Sequence, residues 1–117
     1  MARRDEFLSA LRRDFPSALA GLNDDLRGLI HLEVAAFRTT VEEAVRDGRF
    51  WYVEQSFRFV EGFMDDSDAD LENALAVSFL EDFALFGFKR DEIAEILPRL
   101  SRRMRSELQK HGEQWRG

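Results

Sequence analysis

The sequence predicts an all-α single-domain bundle of five to six antiparallel helices around a Phe-rich core, and three observations predict it. Apolar residues recur at steps of three and four along most of the chain, with no β-type alternation. Eleven of the 117 residues are Phe against a single Tyr, so aromatic mass goes mainly to packing. The run 67–83, SDADLENALAVSFLEDF, turns apolar almost all the way round through Ala74-Leu75-Ala76-Val77-Ser78-Phe79-Leu80. A helix with so little polar face needs other helices around it. At this length one core and one domain, 1–117, is the expectation.

Taken in order, Phe7, Leu8, Leu11 and Phe15 sit at helical spacing ahead of Pro16, which predicts a first helix over 4–15 and a short turn opening at the proline. Gly21-Leu22-Asn23 reads as a link, with Asn23 capping a longer helix that starts on Asp24-Asp25, carries Leu26, Leu29, Ile30, Phe37, Val41 and Val45, and ends near Gly48. Gly28 weakens its first turn, because an interior Gly costs about 1 kcal/mol relative to Ala. A third helix over 49–65 buries Val53, Phe57, Val60 and Met64, with Phe50, Trp51, Phe59 and Phe63 beside that stripe. Ser67 is the expected N-cap of the central helix, Asp70 imitates the carboxylate of a capping box, Asp68 favours the positive end of the dipole, and Gly87 stops the helix. Beyond it, Ile93, Leu97, Leu100, Met104, Leu108, His111 and Trp115 form one stripe that Pro98 divides into a helix at 90–96 and another from 98 to about 112.

Hydrophobic residues make up 44% and charged residues 34%, a globular composition. The absence of Cys excludes disulfides, Cys-ligated zinc and thiol catalysis. Charges interrupt every apolar run of MARRDEFLSALRRDF, which is therefore neither a signal peptide nor a membrane span, and a cytoplasmic location is the expectation. The net charge of −6 is unevenly spread: −11 over residues 19–98, +1 before them and +4 after. An acidic middle repels nucleic acid and anionic membranes and attracts basic partners.

Several patterns were candidates for chemistry. Asp66-Ser67-Asp68-Ala69-Asp70 has the alternating oxygens of a calcium loop, but Leu71 and Val77 stand where such a loop needs Gly and Glu. The two histidines, His31 and His111, fall in no metal-ligand spacing, and His31 reads as a partly buried side chain with one hydrogen bond. Glu42-Glu43 and Glu81-Asp82 are adjacent on helices, about 100° apart, and do not share a catalytic site. Arg99, Arg102, Arg103, Arg105 and Lys110 make the last helix basic, which serves its dipole and pairing with the acidic middle better than nucleic-acid binding. No cofactor or metal is implied. Phe50-Trp51-Tyr52 cannot all face inward, so at least one aromatic should be exposed as an interface anchor or as a cap on a neighbouring helix.

The run Phe57-x-Phe59-Val60-Glu61 followed by Asn73-Ala74-Leu75-Ala76-Val77-Ser78-Phe79-Leu80-Glu81 resembles a little-characterised family of small all-helical bacterial proteins that share F-L-E, an acidic turn and N-x-x-A-V-S-F-x-E. Phe7-x-x-x-Leu11-x-x-x-Phe15-Pro16 and Leu97-Pro98-x-Leu100 extend the resemblance over most of the chain. It implies that Asn73, Ser78 and Glu81 organise helix contacts. It also implies an immunity role, because proteins of this appearance are often encoded beside bacterial toxins.

Together these readings give a non-enzymatic immunity protein, monomer or homodimer, that binds a cognate toxin acting on nucleic acid or nucleotide and covers its basic active site. The expected interface is Glu42, Glu43, Asp47 and Trp51, extended by Asp65, Asp66 and Asp68, as exposed helix ends with dense negative charge and an aromatic anchor. The alternative is a helical adaptor or regulator that docks other proteins or itself through Phe50-Trp51-Tyr52, since one small core does not readily bury so many aromatics.

Overall fold

Phe7, Leu8 and Leu11 lie buried along one side of α1 (Arg3–Asp14), and Pro16 sets the first turn of a short 3-10 helix, Pro16–Leu19, that buries Ala18 and Leu19. The computed structural model describes residues 3–20, 22, 29–65 and 68–116, among which there is no strand. Among the described residues six helices account for the architecture. After α1 come α2 (Ile30–Arg46), α3 (Phe50–Met64), α4 over 69–85, α5 (Arg90–Ile96) and α6 (Arg102–Gln109), with short 3-10 turns at Leu97–Arg99 and Glu113–Trp115. The Cα radius of gyration is 13.6 Å, close to the value of roughly 13 Å for a compact domain of this size.

α2 starts later than the sequence reading placed it. Leu29 is extended at the N-cap (φ −87°, ψ 103°), so the helix opens at Ile30, and the Asn23 cap with Asp24, Asp25, Leu26 and Gly28 falls outside the described residues. Its far end follows the expectation closely. Gly48 has a φ of 74°; its N–H bonds Val45 O at 3.1 Å, and the N–H of Arg49 bonds Ala44 O at 2.8 Å. This pair of bonds is a Schellman closure, which needs the left-handed conformation that Gly adopts freely. α3 therefore begins after only three intervening residues, with its aromatic triplet in the first turn.

The largest departure lies in α4. Between regular turns at Ala69–Asn73 and Asp82–Leu85, residues Ala74–Glu81 form a π-helical stretch. A regular α-helix advances about 100° per residue, whereas i→i+5 bonding widens the turn to roughly 80° per residue. At 100° per residue, Leu80 and Ala84 would point away from Leu71 and Leu75, and Asp82 and Leu85 would point with them. The widened pitch reverses that. Leu71, Ala74, Leu75, Ser78, Phe79, Leu80, Phe83 and Ala84 gather on one face and are all buried, while Glu72, Asn73, Ala76, Val77, Asp82 and Leu85 are exposed. The apolar run is thus not surrounded on all sides; a π turn collects it onto one broad face. Ser67 lies outside the described residues, and the cap is Asp68, whose carboxylate accepts the Leu71 N–H at 2.8 Å. The helix stops at Phe86, which turns extended (ψ 144°) before Gly87 is reached.

That face meets a continuous aromatic core. Phe79 stacks on Phe37 of α2 (5.4 Å) and takes the edge of Phe57 of α3 (5.3 Å); Phe83 continues to Phe57, Phe88 and Trp115. Phe37, Phe59, Phe15 and Phe7 carry the ring contacts across to α1. Such pairs add about 0.5–1.5 kcal/mol each beyond area burial. Trp115 is fully buried and donates its indole N–H to Ala84 O at 2.9 Å. Gln114 donates to the same carbonyl at 2.7 Å, folding back through space that a Cβ on Gly112 would occupy. Pro98 opens only a 3-10 turn. α6 starts at Arg102 rather than at the proline, because Leu100 is extended and Ser101 caps the helix by accepting the Met104 N–H at 3.2 Å.

An ion pair ties α1 to α2. Arg12 donates from Nε and from a terminal nitrogen to the two oxygens of Glu33, each at 3.2 Å, and Glu33 is completely buried while Arg12 reaches solvent. Removing Arg12 takes a charged partner from a desolvated carboxylate, whereas removing both side chains removes that carboxylate as well. Arg12→Met should therefore cost about 1–3 kcal/mol in urea unfolding, and Arg12→Met with Glu33→Met should be more stable than Arg12→Met alone. A double variant that is additively worse would contradict this account.

Candidate functional site

The corner between α2 and α3 carries most of the sequence-predicted interface. Its close turn through Gly48 puts Phe50, Trp51 and Tyr52 about 100° apart on the first turn of α3. Phe50 is half-buried, with the Arg99 guanidinium 5.6 Å above its ring. Tyr52 turns inward, its ring edge-on to Phe15 at 5.8 Å and its hydroxyl hydrogen-bonded with Thr40 Oγ1 at 3.1 Å. Trp51 is left outside, 64% exposed, as the aromatic that cannot be accommodated.

The predicted acidic cluster divides. Glu43 and Asp47 are exposed, and Asp47 pairs with Arg49 at 3.3 Å. Glu42 is buried and is not part of any exposed acidic face. Arg38, one turn earlier, brings its Nε to 3.3 Å from the Glu42 carboxylate, and packing of α2 against α4 covers the pair. Asp65 is exposed and pairs with Arg103 of α6 at 2.8 Å, while Asp66 lies outside the described residues. Asp68 is occupied internally, capping α4 and accepting the Arg4 N–H at 3.3 Å. The expected continuous acidic surface is therefore reduced to Glu43, Asp47 and Trp51 at this corner, with Asp65 at the far end of α3. The basic helix is only partly neutralised: Arg99, Arg103 and Lys110 have ion-pair partners, whereas among the described residues Arg102 and Arg105 have none.

A groove beside Trp51 was not anticipated. Trp51, Tyr52, Arg58 and Phe59 of α3 face the Asp14-Phe15-Pro16-Ser17 turn across a concavity of about 500 Å³. Pro16 makes it, by forcing the chain off the α1 axis while Phe15 anchors the turn on Phe37 and Phe59. The groove is aromatic on its walls and carries the exposed cation Arg58, which has no ion-pair partner among the described residues.

A second polar arrangement lies on the seam of α2 and the π stretch of α4. His31 Nδ1 is 3.0 Å from Ser78 Oγ, and Arg38 donates to Ser78 O and to the Asp82 carboxylate, both at 2.9 Å. Ser78 thus organises the helix contact that the motif implied, whereas Asn73 is exposed and His31 is exposed rather than partly buried. Nucleophilic catalysis by such a pair needs a third group to orient the base; among the described residues the second ring nitrogen of His31 has no carboxylate partner.

The family model for a domain of unknown function, DUF7674, matches residues 8–116. The chain belongs to that family. The DUF7674 match takes in every residue of the groove and of the His31–Ser78–Arg38 seam. No curated protein and no solved structure matches the chain. Among the described residues no helix is long and apolar enough to cross a membrane.

Burial raises the pKa of Glu42 against the opposing field of Arg38 and Arg46, with Asp82 adding to the upward shift. A carboxyl whose folded-state pKa is raised binds more protons folded than unfolded, so its contribution to stability falls as pH rises above the unfolded value of about 4.3. Glu42→Gln should gain stability relative to the parent chain between pH 4 and pH 7 in urea titrations. A relative loss over that interval would mean that the Arg38 pair outweighs desolvation.

Proposed function

We propose that this chain is a non-enzymatic immunity protein that binds a cognate bacterial toxin and covers its basic active site, holding it at the α2–α3 corner. The observation that carries the reading is Trp51, 64% exposed beside a concave, aromatic-walled groove. A large rigid aromatic next to a pocket is the arrangement from which binding hot spots are built. Glu43 and Asp47 precede it by eight and four residues, and the charge of −11 over residues 19–98 accelerates encounter with a basic partner. Glu42 is buried and lies outside the rim.

Co-expression with the product of the adjacent gene is the direct test. The neighbour alone should arrest growth, this chain should restore it, and the two should co-elute from gel filtration. Trp51→Ala should weaken the complex by about 2 kcal/mol or more, roughly thirtyfold in Kd, with the helical circular-dichroism signal unchanged. A harmless neighbour, or no complex, would defeat the proposal. The same exposed Trp51 also supports the adaptor reading: a stable homodimer in light scattering that Trp51→Ala dissolves would assign the corner to self-association.

A further inference from the structure

Arg90 and Arg116 line a half-open cavity of about 770 Å³ whose apolar lining includes Phe88, Ile93 and Leu97. That volume lies within the range of roughly 300–1,000 Å³ typical of small-molecule sites. Both arginines are exposed, and among the described residues neither has an ion-pair partner, a condition they share with Arg58, Arg102 and Arg105. Among the described residues Glu113 is the one carboxylate of the lining, so the described lining carries a net charge of +1 in a chain whose overall charge is −6. The wall is anchored, since Gln114 and Trp115 both donate to Ala84 O, and the buried Trp115 ring meets Phe88 edge-on at 6.0 Å.

Guanidinium groups hold carboxylates through paired, charge-assisted hydrogen bonds, and an apolar wall takes an alkyl body by burial. A single negative charge neutralises the lining. We propose that this cavity binds a small amphipathic monocarboxylate, its head on Arg90 and Arg116 and its chain over Phe88, Ile93 and Leu97. The site shares no lining residue with the Trp51 groove and is independent of the immunity reading.

The chain has two tryptophans, so Trp51→Phe leaves Trp115 as the single reporter beneath the site. Decanoate, titrated below micelle formation into the full chain carrying that substitution, should change Trp115 emission saturably while the helical circular-dichroism signal holds. Adding Arg90→Gln and Arg116→Gln should raise the Kd at least about tenfold, and decanol should bind at least about tenfold more weakly than decanoate. A non-saturating response, equal affinity in the arginine variant, or equal affinity for decanol would overturn the proposal. Saturation by a peptide ending in a free Leu carboxylate, with none by decanoate, would overturn it in favour of a protein ligand.

Discussion

The widened turn of α4 is the constraint on which the rest of the molecule depends. The buried residues of this helix follow a spacing that a regular α-helix would spread around its circumference, and a core cannot be built on every side of a helix in a chain this short. Opening Ala74–Glu81 to π geometry resolves the conflict. It puts Phe79 and Phe83 in nearly parallel register, 6.1 Å apart, where both meet Phe57, and it leaves Ala76 and Val77 in solvent. π stretches are rare, and backbone geometry of low intrinsic preference persists where the surrounding structure over-determines it. Here the over-determination is the unbroken ring contact from Phe37 to Trp115.

Polar groups then fix how the other helices meet that face. Arg38 reaches from α2 to the Ser78 carbonyl and the Asp82 carboxylate, spanning the end of the π stretch, and His31 meets the Ser78 hydroxyl about two turns earlier on α2. Arg12 fastens α1 to the buried Glu33 of α2. With α1 and α2 held, the Phe15-Pro16 turn has a fixed place against α3, and the groove below Trp51 follows from it. The candidate binding surface is thus a product of core packing, although none of its exposed side chains contributes to the core.

Much of this is legible in the sequence. The spacing of Phe7, Leu8 and Leu11 places α1, Gly48 closes α2, and the aromatic triplet after it leaves one ring outside, all from local rules that tertiary context does not overrule. The register of α4 was not legible, because period counting assumes 3.6 residues per turn and the π pitch breaks that assumption. Glu42 was misplaced for a different reason: charge was read as exposure. The Arg38–Glu42 spacing of i to i+4 was the available signal that this carboxylate has an internal partner. Ser101 was likewise a visible cap, obscured by the stronger helix-breaking signal of Pro98. The groove depends on α1 and α3 meeting across long sequence separation, and no local pattern encodes that.

The chain contains no cysteine, so single introduced thiols report the register of α4 without background. The most direct measurement is the native-state alkylation rate of Ala84→Cys against that of Leu85→Cys. In the π register residue 84 is buried and residue 85 is 60% exposed, so Leu85→Cys should react at least about tenfold faster, with Ala84→Cys limited by local opening. A regular α-helix through 74–81 would turn residue 84 to solvent and residue 85 to the core. Faster labelling of Ala84→Cys would contradict the account.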